Sequence, residues 1–142
     1  LRQHRSGRHV ASLPYFRRAA EAGTGWVGHW NYAAALNNAA FEVWSRHGVA
    51  SPASRSAVER LELVRSALAE VEAAERVAPD ARTHAMMELV RGNTLEMWGF
   101  PVDALEAYRS ARSIDPEYPA ARRSEAQCVA ALRGERPPAA ER

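Results

Sequence analysis

Apolar residues recur along this chain at intervals of three and four, and turn residues divide the recurrence into six stretches. Val10–Ala22 carries Leu13, Phe16, Ala19 and Ala20 on one side. Pro14 is tolerable only in its first turn, and Gly23, Thr24 and Gly25 end it. Trp26–His47 is a longer stretch. Trp30, Ala33 or Ala34, Asn37, Phe41 and Trp44 keep the helical spacing, and Gly48 is the expected C-cap. Ser51 before Pro52 reads as an N-cap and first helical position. The helix they open should reach about Ala78, with Val58, Leu61, Val64, Leu68, Val71 and Ala74 as its buried stripe. Pro79–Asp80 breaks the chain, Ala81–Trp98 forms the fourth helix, and Gly99 ends it. Pro101 opens a fifth that stops before Asp115–Pro116, and Pro119 opens a sixth through Leu132. No segment alternates with the period of a strand. The prediction is an all-α chain of about six helices: a flexible basic arm over 1–9, a helical domain over 10–133 and a disordered tail over 134–142.

One spacing occurs three times within this pattern. Ala104, Tyr108, Ala111 and Pro116 have the offsets of Ala67, Val71, Ala74 and Pro79, and Ser12, Phe16, Ala19 and Thr24 repeat them more loosely. Small residues at helical spacing, a larger apolar one between them and then a stop describe the second helix of a stacked helix pair. Each such pair has an apolar face too wide to bury alone, so neighbouring pairs must cover it and a final helix must close the end. Arg122 and Arg123 stand in the last helix where a further repeat would need an apolar residue, which suits a terminal helix with one wet face.

Composition narrows the classes. The chain has 142 residues, 46% hydrophobic and 25% charged, which is ordinary globular usage for one domain. All 19 basic residues are Arg, a bias that fits the coding of a GC-rich bacterial genome better than a need for guanidinium groups. The net charge is only +2 and the Arg residues are dispersed among Glu, so no basic stripe marks a nucleic-acid partner. Arg2, Arg5 and Arg8 of the arm are weak support for one. A single cysteine, Cys128, excludes an intrachain disulfide and leaves periplasm open beside the favoured cytoplasm. No run of about 18 apolar residues is present to span a membrane. Leu1 stands where an initiator Met would, which implies a segment of a longer chain.

The third spacing, with what precedes it, resembles the tetratricopeptide repeat. That family has Trp-x-x-Leu-Gly-x-x-Tyr in the first helix, Ala-x-x-x-Phe in the second and then Pro, over about 34 residues. From Ala85 to Tyr118, Gly92 matches the helix-crossing glycine, Gly99 the turn, Ala104 and Tyr108 the second-helix pair, Ala111 the next small contact and Pro116 the stop. Glu88, Arg91 and Leu95 depart from the Trp, Leu and Tyr of the pattern, and the two charges imply a wetter outer part of that helix. The stops at 24 and 79 lie 55 residues apart and those at 79 and 116 lie 37 apart, so the middle copy carries an insertion and should protrude. The first copy keeps only its second helix. The resemblance implies antiparallel helix pairs stacked as a short right-handed superhelix.

Catalytic and metal signatures are missing from the sequence. None of His4, His9, His29, His47 and His84 lies four residues from another, and Asp80, Asp103 and Asp115 each suit a cap or turn. Cys128 sits on an Ala-rich face as a small buried hydrophobe. The expectation is a non-catalytic module without cofactor or metal. In the resembling family, partners lie in the concave groove of the first helices. Carried onto the best copy, the groove residues are Met86, Leu89, Asn93, Glu96 and Met97, with Asn93 able to donate to and accept from a peptide backbone. On the distorted copy they are Asn31 and Asn38 in one register or Trp30 and Asn37 in the other, and Arg123 from the last helix is a carboxylate-binding candidate. One such cation does not make the family's carboxylate clamp. The expected function is an adaptor or scaffold that binds a protein or peptide segment. The alternative is self-association, or docking against another part of the same chain, suggested by four Trp residues and the half repeat at the start.

Overall fold

The computed structural model describes residues 8–23, 25–47 and 55–135. These form six helices and no strand: α1 (Arg8–Glu21), α2 (Gly25–His47), α3 (Arg55–Arg76), α4 (Ala81–Met97), α5 (Pro101–Ile114) and α6 (Pro119–Leu132). The all-α prediction holds, and adjacent helices pack as pairs. α1 begins two residues ahead of its sequence-based start, because Arg8 and His9 belong to its first turn. Thr24, the Gly48 cap and the Ser51–Pro52 start lie outside the described residues, as do 1–7 and 136–142. The chain divides into two compact units, one ending at Ala78 and the other beginning at Pro79.

In the first unit α2 packs against both α1 and α3. Side-chain contacts fix the directions. Glu42, late in α2, accepts the backbone N–H of His9 in the first turn of α1 at 2.9 Å. An acceptor carboxylate there satisfies an orphan donor and opposes the positive end of the helix dipole. Early in α2, His29 Nδ1 lies 2.7 Å from Glu70 Oε2 of late α3. Both neighbours therefore run antiparallel to α2. The core is rich in small residues: Ala33, Ala39 and Ala40 of α2, with Ala67, Val71 and Ala74 of α3, are fully buried. Alanine at a helix contact lets the axes approach closely, and each buried methyl adds to a continuous apolar seam. The α3 stripe departs from its prediction at the start. It passes through half-buried Ala57 and Arg60, while Val58 and Leu61 are 47% and 44% exposed. Val58 and Leu61 each stand one residue past Ala57 and Arg60, about 100° round the helix, and so point away from the line that those residues continue.

In the second unit α4 packs on α5 and α5 on α6. Asp80 caps α4 with an extended backbone, φ −152°, and accepts the Thr83 N–H at 2.7 Å. That hydrogen bond holds its carboxyl below the usual range. Gly99, at φ 91°, lets the Phe100 N–H return to the Leu95 carbonyl at 2.8 Å, closing α4 in a left-handed cap before Pro101 starts α5. Gly134 ends α6 in the same way, with the Glu135 N–H on the Ala130 carbonyl at 2.8 Å. Ala104, Tyr108 and Ala111 of α5 are fully buried, as are Ala121 and Cys128 of α6. The looser first copy behaves differently: Ser12, Phe16 and Ala19 are only half-buried, and Ala20 is the buried residue of α1.

Candidate functional site

The α4–α5 contact places a polar group inside the second unit. Gly92 makes room for it. A Cβ there would stand 2.6 Å from Tyr108 Cδ1, so only glycine permits the ring to approach α4 this closely. The ring passes under α4 and brings its hydroxyl 2.9 Å from Asn93 Oδ1 and 2.9 Å from Glu96 Oε1. A phenol has one proton, and a carboxylate is the stronger acceptor. The network closes when Tyr108 O–H donates to Glu96 and the Asn93 amide, turned about its last torsion, donates N–H to the phenolic oxygen. Burial, reinforced by Glu96, raises the Tyr108 pKa well above that of an ordinary phenol, so the hydroxyl remains protonated. Cys128 is held in the same region. Its thiol donates to the Pro101 carbonyl at 3.3 Å, and burial, then Glu96, push it up to about 11. A neutral, buried thiol is not a nucleophile.

Asn93 is thus fixed from below while it remains exposed on α4. Met86, Asn93 and Met97 follow one another at seven and four residues and share a line along the helix. Met86 is half-buried, Leu89 is buried and Met97 is 60% exposed. Of the residues that the sequence assigns to this groove, the structure brings Asn93 and Glu96 together on one hydroxyl. Leu89 belongs to the core rather than to the surface. Arg123 is exposed on α6 and takes no part in that network. Glu88, expected to be wet, is buried, with Arg91 one turn on at 3.6 Å to balance its charge.

In the first unit, the candidates fall on the solvent side of α2. Asn31 and Asn38 are exposed, Trp30 is partly exposed, and Asn37 is half-buried beside them. Both registers therefore describe one face. Phe41, 52% exposed, and Trp44 lie on it too, with ring centroids 5.5 Å apart. Val27, Ala34 and Ser45 are exposed on it as well, and no described side chain on it is charged. Of the described side chains of α2, His29 turns to Glu70 of α3 and Glu42 to the start of α1.

Two features escaped sequence reasoning. One is the clasp of Arg109 and Arg112 of α5 on buried Glu125 of α6, at 3.4 and 2.9 Å. Beside it an open groove of about 320 Å³ is lined by Arg112, Arg122, Val129, Arg133 and Glu135. Its mixed charges favour no one sign of ligand. The other is the uncharged face of α2, whose signal was legible: between Trp26 and Ser45 only His29 and Glu42 are ionisable apart from Tyr32. No helix among the described residues is long and apolar enough to cross a membrane.

Comparison with known proteins returns no matching family model, no matching curated protein and no matching solved structure.

Proposed function

We propose that the chain is a non-catalytic protein-interaction module of tetratricopeptide-repeat character, an adaptor or scaffold that binds a protein or peptide segment along α4. The observation that carries this reading is the anchored amide. Asn93 is exposed for contact, held by Tyr108, and flanked by Met86 and Met97. A fixed amide loses little rotamer entropy on binding and offers a donor and an acceptor to an extended backbone. Methionine side chains adapt to varied apolar partners. The recurring buried triads of α3 and α5 support the repeat character. The neutral Cys128 and the engaged Tyr108 and Glu96 argue against chemistry at this place.

The test is a nuclease-treated capture from source lysate with the wild-type chain and an Asn93→Ala, Met97→Glu variant of unchanged helicity. A protein retained by the first and lost by the second supports the reading. Equal capture by both removes α4 as the binding face. A second reading, association with another copy, is favoured by the uncharged face of α2.

A further inference from the structure

The solvent face of α2 carries a pattern of large apolar residues, Trp30, Phe41 and Trp44, left exposed beside half-buried Asn37. Trp30, Asn37 and Trp44 form one row at seven-residue spacing, and Ala34 and Phe41 form the next. Seven residues are close to two turns, so each row keeps to one line of the helix. The midpoints of the rows fall within half a residue of each other, under about 1 Å along the helix. Trp30 and Trp44 are equidistant from Asn37, and Ala34 and Phe41 from the bond between 37 and 38. A two-fold axis across the helix at that point maps each row onto itself reversed. It sets Trp30 against Trp44 of a second copy, and the large Phe41 against the small Ala34. Asn38 meets its own counterpart near the axis, where paired amides both donate and accept. A polar residue in an apolar seam also fixes register.

The charge distribution points to the same occupant. An isologous contact sets a surface against itself, so any charge near the axis meets its like. This face has no described charged side chain, in a chain with 25% charged residues. Aromatic enrichment with charge depletion is the composition of an interface core. From Trp30 to Trp44 the helix rises about 21 Å, enough for two helices crossing at a shallow angle to stay in contact.

We propose that this face binds a second copy of the chain, with α2 antiparallel to α2 across a two-fold axis at residues 37–38. The inference is independent of the α4 reading and uses none of its residues. The experiment is sedimentation of the full chain from low to high micromolar concentration, followed by cysteine cross-linking. The wild type should show a reversible monomer–dimer equilibrium. Phe41→Glu and Trp44→Glu, both at exposed positions, should weaken it by at least about tenfold while helicity is kept. In a Cys128→Ser background, Asn38→Cys should form a disulfide with its own copy. Asn31→Cys should pair with Ser45→Cys rather than with itself. The cross-linking decides the matter if a charged variant fails to fold. A wild type that stays monomeric throughout, a dimer indifferent to Phe41→Glu, or Asn31→Cys linking to itself as readily as Asn38→Cys overturns the proposal.

Discussion

The two units bury the same triad and fasten their helices differently. In α3 the triad is Ala67, Val71 and Ala74; in α5 it is Ala104, Tyr108 and Ala111; all six residues are fully buried. The middle residue separates them. Val71 is wholly apolar, and the hairpin of α2 and α3 is tied at its far end by His29 and Glu70, 2.7 Å apart. Tyr108 is larger, needs Gly92 opposite it, and carries a hydroxyl through the contact to Asn93 and Glu96. The spacing sets which positions are buried. The residue in the middle sets whether the facing helix receives polar chemistry, and in the second unit an exposed amide is anchored as a result. The outer faces differ: the described side chains on that of α2 are aromatic and uncharged, while α4 presents Asn93 between methionines.

Substitutions test this contrast, and the largest effect belongs to the larger residue. Tyr108→Ala should destabilise the chain by roughly 3–5 kcal/mol in denaturant unfolding, against about 2 kcal/mol for Val71→Ala, because more buried volume is emptied. Equal losses would mean that the two triads are not equivalent in packing. Gly92→Ala follows at roughly 1–3 kcal/mol, since the added methyl enters the Tyr108 ring. Combining it with Tyr108→Val, which copies the first unit, should recover part of that loss; simple addition of the two penalties would dismiss the glycine–tyrosine fit.

Tyr108→Phe should cost on the order of 1–2 kcal/mol, because Glu96 loses its donor. The pH dependence at Cys128 is subtler. Its folded pKa, pushed up to about 11, lies above that of an exposed thiol. The unfolded chain therefore ionises first, and the stability contributed by the buried thiol is present below the ordinary thiol range and lost as pH rises through about 11. Thermal melts should drop across that window, and Cys128→Ala should drop less. Met97→Glu should alter stability by no more than about 0.5 kcal/mol, because the side chain is 60% exposed.

Much of this was legible from the residues alone. The spacing of small residues announces both buried triads, and glycine or proline marks the ends of α4, α5 and α6. Periodicity reports which residues share a line, but not whether a neighbour covers it. Val58 and Leu61 continue the α3 pattern and yet face solvent, and Leu89, read as surface, is buried. Glu88 was expected to be wet beside Arg91; the spacing shows that the two can pair, but not that Glu88 is buried. The anchoring of Asn93 was hidden for a related reason. It depends on a hydroxyl fifteen residues on, brought near only by the crossing at Gly92.

The contrast between the faces makes its most direct demand on capture. Two variants of the full chain are used as bait beside the wild type: Asn93→Ala with Met97→Glu on α4, and Phe41→Glu with Trp44→Glu on α2. The α4 variant should lose the proteins retained by the wild type while still forming dimers, and the α2 variant should keep them as a monomer. Undiminished capture by a folded α4 variant would contradict the α4 reading.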